Sequence, residues 1–99
     1  MKLTELQSLV KPWHEQNFPA APAWQPLVGM QEELGELSHA FLKRAQNIRM
    51  DEDHDSNIRD ALADIIVFMA HFANIEGIDL DEAVDAAWNN IVSKRDWRA

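Results

Sequence analysis

The sequence predicts an all-α fold: a small four-helix bundle, completed by homo-oligomerisation. Three observations lead there. Apolar residues recur every three to four positions along nearly the whole chain, the signature of helices with one buried face. Sustained alternation of apolar and polar residues is missing, and so are the Asn-Gly and Asp-Gly turns that close hairpins. The length of 99 residues suits one compact domain, residues 1–99, whose core is too small to be generous.

The first helix spans about residues 3–17. Thr4 and Gln7 have the spacing of a capping box at its start, and Pro12 inside it either kinks it or divides it. FPAAPAWQP, residues 18–26, holds three prolines in nine positions and reads as an extended loop, with Pro26 as the first residue of the next helix. That second helix runs from about residue 26 to 45, with Leu27, Met30, Leu34, Leu37, Phe41 and Ala45 as its apolar stripe. NIRMDEDHDSN, residues 47–57, is polar and acidic and reads as a solvated loop. The third helix, about residues 57–76, ends at Gly77 and carries Ile58, Leu62, Ile65, Met69 and Phe72 on one face. Asp79 caps a fourth helix, with Glu82 completing a capping box. Its expected buried side is Ala83, Ala87, Ile91 and Trp88, and it ends at about Arg95. Trp88 and Trp97 read as packing or interface residues.

Charge and composition narrow the function. With 17 acidic residues against 9 basic ones the net charge is −8, so the surface repels polyanions and the chain does not read as a nucleic-acid binder. An anionic ligand would need a cation between itself and this surface. The absence of cysteine excludes disulfides, thiolate metal sites and a cysteine nucleophile. No signal peptide is visible, and no apolar run reaches the roughly 20 residues of a membrane helix. The expectation is a soluble, cytoplasmic protein with no membrane partner.

The most informative stretch is ALADIIVFMAHFA, residues 61–73, with Asp64 set among apolar neighbours. Asp60, Asp64, Val67 and His71 share one helix face. The helix is apolar nearly all round from Ala61 onward, so Asp64 is either enclosed or lines a pocket. A buried carboxylate must be protonated, paired or bound to metal. On the second helix Glu32, Glu33 and Glu36 converge within one turn of each other. Packed antiparallel, the two helices bring these five carboxylates together as an oxygen-donor cage suited to Mg²⁺ or Mn²⁺. Lys43, seven residues beyond Glu36, lies on the same helix face and is a candidate phosphate ligand.

At these residues the chain resembles the MazG-like family of all-α nucleotide pyrophosphohydrolases. The family pattern is Glu-Glu-x-x-Glu on one helix and Glu-x-x-Asp on the next. EELGE, residues 32–36, matches the first half and Asp64 the closing aspartate, within LGELSHAFLK, IRDALADIIVF and GIDLDEAVDAAWNNIVSKRDW. The likeness covers about residues 26–97. It departs from the pattern at Ala61, where the family carries glutamate, and Asp60 is the neighbouring acid that takes over.

The resemblance implies Mg²⁺-dependent hydrolysis of nucleoside triphosphates to the monophosphate and pyrophosphate, with Glu33, Glu36, Asp64, Asp60 and Glu32 as metal ligands. Glu32 or Glu33 would be the proton acceptor; the sequence does not separate them. It further places Asn89, Lys94 and Arg95 near the triphosphate, although Ile91 stands where the family has a lysine between them. Trp13, Phe18 and Trp24 either stack on a nucleobase or close the bundle end, and His14 is placed to read a base edge. Four short helices cannot both build a core and wall off a nucleotide, so a homodimer or a dimer of dimers is expected.

Two other functions compete. A di-iron carboxylate bundle needs Glu-x-x-His on two facing helices, and only Glu36 and His39 supply it. A non-catalytic helical protein that binds a partner or a nucleotide, having lost full metal ligation, is the alternative that Ala61 favours.

Overall fold

The computed structural model describes residues 1–95, apart from the side chain of Arg95; residues 96–99, and with them Trp97, lie outside the described residues. Among the described residues there are four helices and no strand, as expected: α1 Leu3–Asn17, α2 Trp24–Gln46, α3 His54–Glu76 and α4 Leu80–Arg95.

The helix ends follow local chemistry, and three differ from expectation. α2 starts at Trp24, two residues before Pro26. The first helical N–H groups have no intrahelical partner, so a proline in the first turn costs nothing. α3 starts at His54, three residues earlier than its periodicity indicated, because the Asp53 carboxylate caps it by accepting from the Ser56 N–H at 3.0 Å. Thr4 and Gln7 form no capping box: the residue before α1, Lys2, makes no side-chain cap. Asp81 of α4 does that work instead, accepting from the Thr4 N–H at 3.2 Å and the Thr4 hydroxyl at 2.6 Å. That hydroxyl holds the Asp81 carboxyl below the usual range. Pro12 sits inside one continuous α1. α2 ends on left-handed Asn47 (φ 58°) and α3 on left-handed Gly77 (φ 68°), and Asp79 caps α4 through the Glu82 N–H at 3.0 Å.

α2 and α3 pack along each other, and α1 packs on α3. Gly29 meets Phe68, whereas Ala40 shares a cavity with Ala61, so the first two run antiparallel. Their seam is made of small residues. Ala40 and Ala61 are each buried, and a Cβ added at Gly29 would come within 2.6 Å of the Phe68 ring. On the other side of α3, Ala70 and Ala73 pack with Val10 and Leu80.

Packing through alanines overturns the expected stripes. Leu27, Leu34 and Phe41 of α2 and Leu62 and Met69 of α3 remain 40% or more exposed. α4 leaves α3 at 102°. Its expected buried side, Ala83, Ala87, Trp88 and Ile91, is exposed. The radius of gyration is 16.5 Å, against about 13 Å for a compact chain of 100 residues. Large apolar side chains therefore coat the outside of a stack of α1, α2 and α3.

Gln7 ties α1 to the α3–α4 turn. Its amide donates to the Ile78 carbonyl at 2.7 Å and to Asn74 Oδ1 at 3.3 Å, and its Oε1 accepts from the Leu80 N–H at 3.1 Å. Asn74 in turn donates to the Gln7 carbonyl at 2.9 Å. Gln7→Ala strands a buried N–H and a carbonyl, so it should cost about 2–4 kcal/mol and lower Tm by more than about 10 °C. Thermal unfolding followed by circular dichroism checks this; an unchanged Tm would mean that water replaces the amide.

Candidate active site

The antiparallel α2–α3 seam opens into a cavity of about 810 Å³ lined by Glu32, Glu33 and Glu36 from one helix and Asp60 and Asp64 from the other. All five acids singled out from the sequence thus line one cavity. Asp64 is exposed in its mouth; of the two expected alternatives, it lines a pocket and is not enclosed. Ala61 is buried in the seam at 2% exposure, and the neighbouring Asp60 carries the acid to the cavity wall.

The acids act on one another. Partial burial raises the Glu33 carboxyl above its usual range, reinforced by the charges of Glu36 and Asp64, a hydrogen bond to Glu36 and the charge of Glu32. That is how a carboxylate cluster behaves without a counter-charge, and a hard divalent cation supplies one. The donor set fits Mg²⁺ or Mn²⁺: all oxygen, from two facing helices. Among the described residues no group of three or more His, Asp or Glu side chains already stands as a metal site.

Beside the cavity lies an aromatic slot of about 280 Å³, sharing Glu32 with it and lined by His14, Phe18, Trp24, Phe68 and His71. A further recess joins Trp13, His14 and Phe18 to Glu33 and Asp64. The candidate base-binding residues Trp13, Phe18, Trp24 and His14 therefore all border the acids. The His14 and His71 rings stack, centroids 3.5 Å apart and planes 7° from parallel. Burial lowers both below the ordinary histidine value, and His71 lowers His14 further. The rings are therefore neutral at pH 7. His14 Nδ1 is buried without a hydrogen-bond partner.

Sequence reasoning missed Phe68 and His71 as slot residues. A signal existed for His71, which lies two turns beyond Asp64 on the face that Asp60 begins.

The candidate phosphate ligands stand elsewhere. Lys43 Nζ donates to Gln46 Oε1 at 3.4 Å, and Lys43 is not among the residues lining the acid cavity. Asn89 and Lys94 are exposed on α4 and border neither the cavity nor the slot. Arg95 ends that helix, its side chain outside the described residues.

No family model, curated protein or solved structure matches the chain.

Proposed function

We propose that the protein hydrolyses nucleoside triphosphates, deoxynucleotides included, to the monophosphate and pyrophosphate with Mg²⁺, in the manner of the MazG-like enzymes it resembles. One observation carries this: five carboxylates of two packed helices line a cavity that adjoins an aromatic slot. The slot suits a base and the acids suit a metal-complexed polyphosphate.

Each residue then has a role. Glu33, Glu36 and Asp64, with Asp60 and Glu32, would hold the cation. When bound, the ion supplies charge neutralisation for the polyphosphate and acidifies an attacking water. Glu32 or Glu33, whichever stays outside the tightest coordination, would take the proton of that water. Trp13, Phe18, Trp24 and Phe68 enclose the base, and His14, which lines the slot beside them, is the residue placed to read its edge.

The active species is a homodimer or a pair of dimers. The supporting fact is the apolar coat left by the single chain: Leu34, Phe41, Leu62, Met69, Val84 and Ile91 are each at least 40% exposed. Burying those faces completes the helical bundle, and it offers Asn89, Lys94 and Arg95 of the projecting α4 a route to a partner's phosphate site. No single described helix is long and apolar enough to cross a membrane, which agrees with action in the cytoplasm.

Pyrophosphate release from a nucleotide panel with Mg²⁺, repeated with chelator, tests the reading, alongside sedimentation at micromolar concentration. Chelator-sensitive release by a dimer or larger species is expected. Ala61 favours the alternative, a nucleotide-binding protein without hydrolysis; that reading wins if nucleotides bind and nothing is released. A monomer would remove the proposed role of α4.

A further inference from the structure

A second polar cluster lies at the start of α3, and it differs in chemistry from the acid cavity. His54 is 4% exposed. Its Nε2 stands 3.0 Å from the Ile48 carbonyl oxygen. A carbonyl only accepts, so Nε2 carries the hydrogen, and a neutral ring then leaves Nδ1 as a bare lone pair. That Nδ1 is buried and has no hydrogen-bond partner. The polar atom facing it is Glu52 Oε2 at 4.0 Å, another lone-pair donor. The same oxygen stands 3.9 Å from His39 Nε2 on α2. One carboxylate oxygen thus lies within 4.0 Å of two imidazole nitrogens, one from α2 and one from the start of α3.

We propose that His39, Glu52 and His54 form a binding site for a transition-metal dication of the Zn²⁺ class, at the rim of the acid cavity and distinct from it in ligand chemistry. Two imidazole nitrogens and one carboxylate oxygen favour Zn²⁺ over Mg²⁺, which prefers oxygen alone. The Nε2–H to carbonyl hydrogen bond is the outer-sphere contact that ligating histidines make, and it fixes the tautomer that frees Nδ1. An ion about 2.0–2.2 Å from each donor sets the donors roughly 3.4 Å apart. The present 3.9 and 4.0 Å separations are about half an ångström wider. The site is therefore open: among the described residues no group of three or more His, Asp or Glu side chains already stands as a metal site. Rotamer shifts of His39 and Glu52 close it; their side chains are 45% and 38% exposed, whereas His54 is anchored. Occupancy staples the α2–α3 connection to α2 at the rim of the acid cavity, which His39 also lines.

The test is Zn²⁺ titration of the full chain, with Mg²⁺ in large excess to occupy the oxygen sites, read by ¹⁵N chemical shifts of the imidazoles and by Tm. One equivalent of Zn²⁺ should move the His54 Nδ1 and His39 Nε2 resonances to metal-bound values and raise Tm. His39→Ala and Glu52→Gln, both at exposed positions, should each weaken binding by at least about tenfold. His54 Nδ1 found protonated against Glu52 and unmoved by Zn²⁺, or both variants binding Zn²⁺ as tightly as the parent, overturns the proposal. Neither readout depends on nucleotide hydrolysis, so failure here leaves the proposed activity untouched, and the converse holds.

Discussion

Asp64→Ala should lower kcat/KM for nucleoside triphosphate hydrolysis by at least about a thousandfold while leaving the far-ultraviolet helical signal intact. Asp64 is the residue of α3 that borders both the acid cavity and the recess under Trp13 and Phe18. It stands where base and polyphosphate would meet. Losing a carboxylate ligand from a divalent site removes several kcal/mol of charge stabilisation from the transition state. About 4 kcal/mol is a thousandfold in rate. The fold should survive because Asp64 is exposed and takes no part in the alanine seam or in a helix cap. Asp60→Ala is the informative partner. Asp60 lines the cavity but is not among the charges that raise Glu33. Its removal should cost less than that of Asp64 if it only supplements the site, and as much if it fully replaces the acid missing at Ala61. Steady-state kinetics on both variants, with circular dichroism as the folding control, decide this. Asp64→Ala retaining activity within tenfold of the parent would place the chemistry elsewhere.

The same residues show what could be learned from the sequence and what could not. Helix existence was legible because period and caps agreed, as at Asp79 and Gly77, where a side-chain cap and a left-handed residue stand where expected. The starts of α2 and α3 were not. Proline is tolerated in a first turn, and the first turn of α3 reads His-Asp-Ser, without apolar period. That the acids of each helix share a face was legible from helical phase, since i, i+3 and i+4 fix the face; that all five line one cavity needed the antiparallel packing of the two helices as well. Which faces would be covered was not. A stripe of Leu, Met and Phe announces burial somewhere, but here the chain packs its own helices through Gly29, Ala40 and Ala61 and leaves the stripe outside. Periodicity reports that a face is apolar and is silent on whether the same chain covers it. The His14–His71 stack belongs to the same class of hidden fact, being a contact between α1 and α3 that no local spacing encodes.

Glu33→Gln should move stability and activity in opposite directions. In the folded chain the Glu33 carboxyl lies above its usual value of 4.5, through burial first and the Glu36 and Asp64 charges next. Between that usual value and the raised one, the native state holds a proton that the unfolded state has released. The unfolding free energy therefore falls as pH rises through this window, and above it the penalty is fully in place. A neutral amide removes the penalty. Without Mg²⁺ the variant and the parent should be equally stable in acid. At neutral pH the variant should be the more stable by about 0.5–1 kcal/mol, the scale of one like-charge contact a helical turn away at Glu36 and a second across the seam at Asp64. That is roughly 2–8 °C in Tm for a chain of this size. Mg²⁺ should then raise the Tm of the parent by more than that of the variant, because binding to the native state stabilises it through mass action and the variant has lost a ligand. Hydrolysis should fall by at least about 10²-fold, since the ion that activates the water is held less well. Thermal melts across pH, with and without Mg²⁺, read the first effect and initial rates the second. If Glu33→Gln were less stable than the parent at neutral pH without Mg²⁺, or if Mg²⁺ shifted both melts equally, Glu33 would be an ordinary surface acid, because only a carboxylate held at a cost for a cation gives both signs at once.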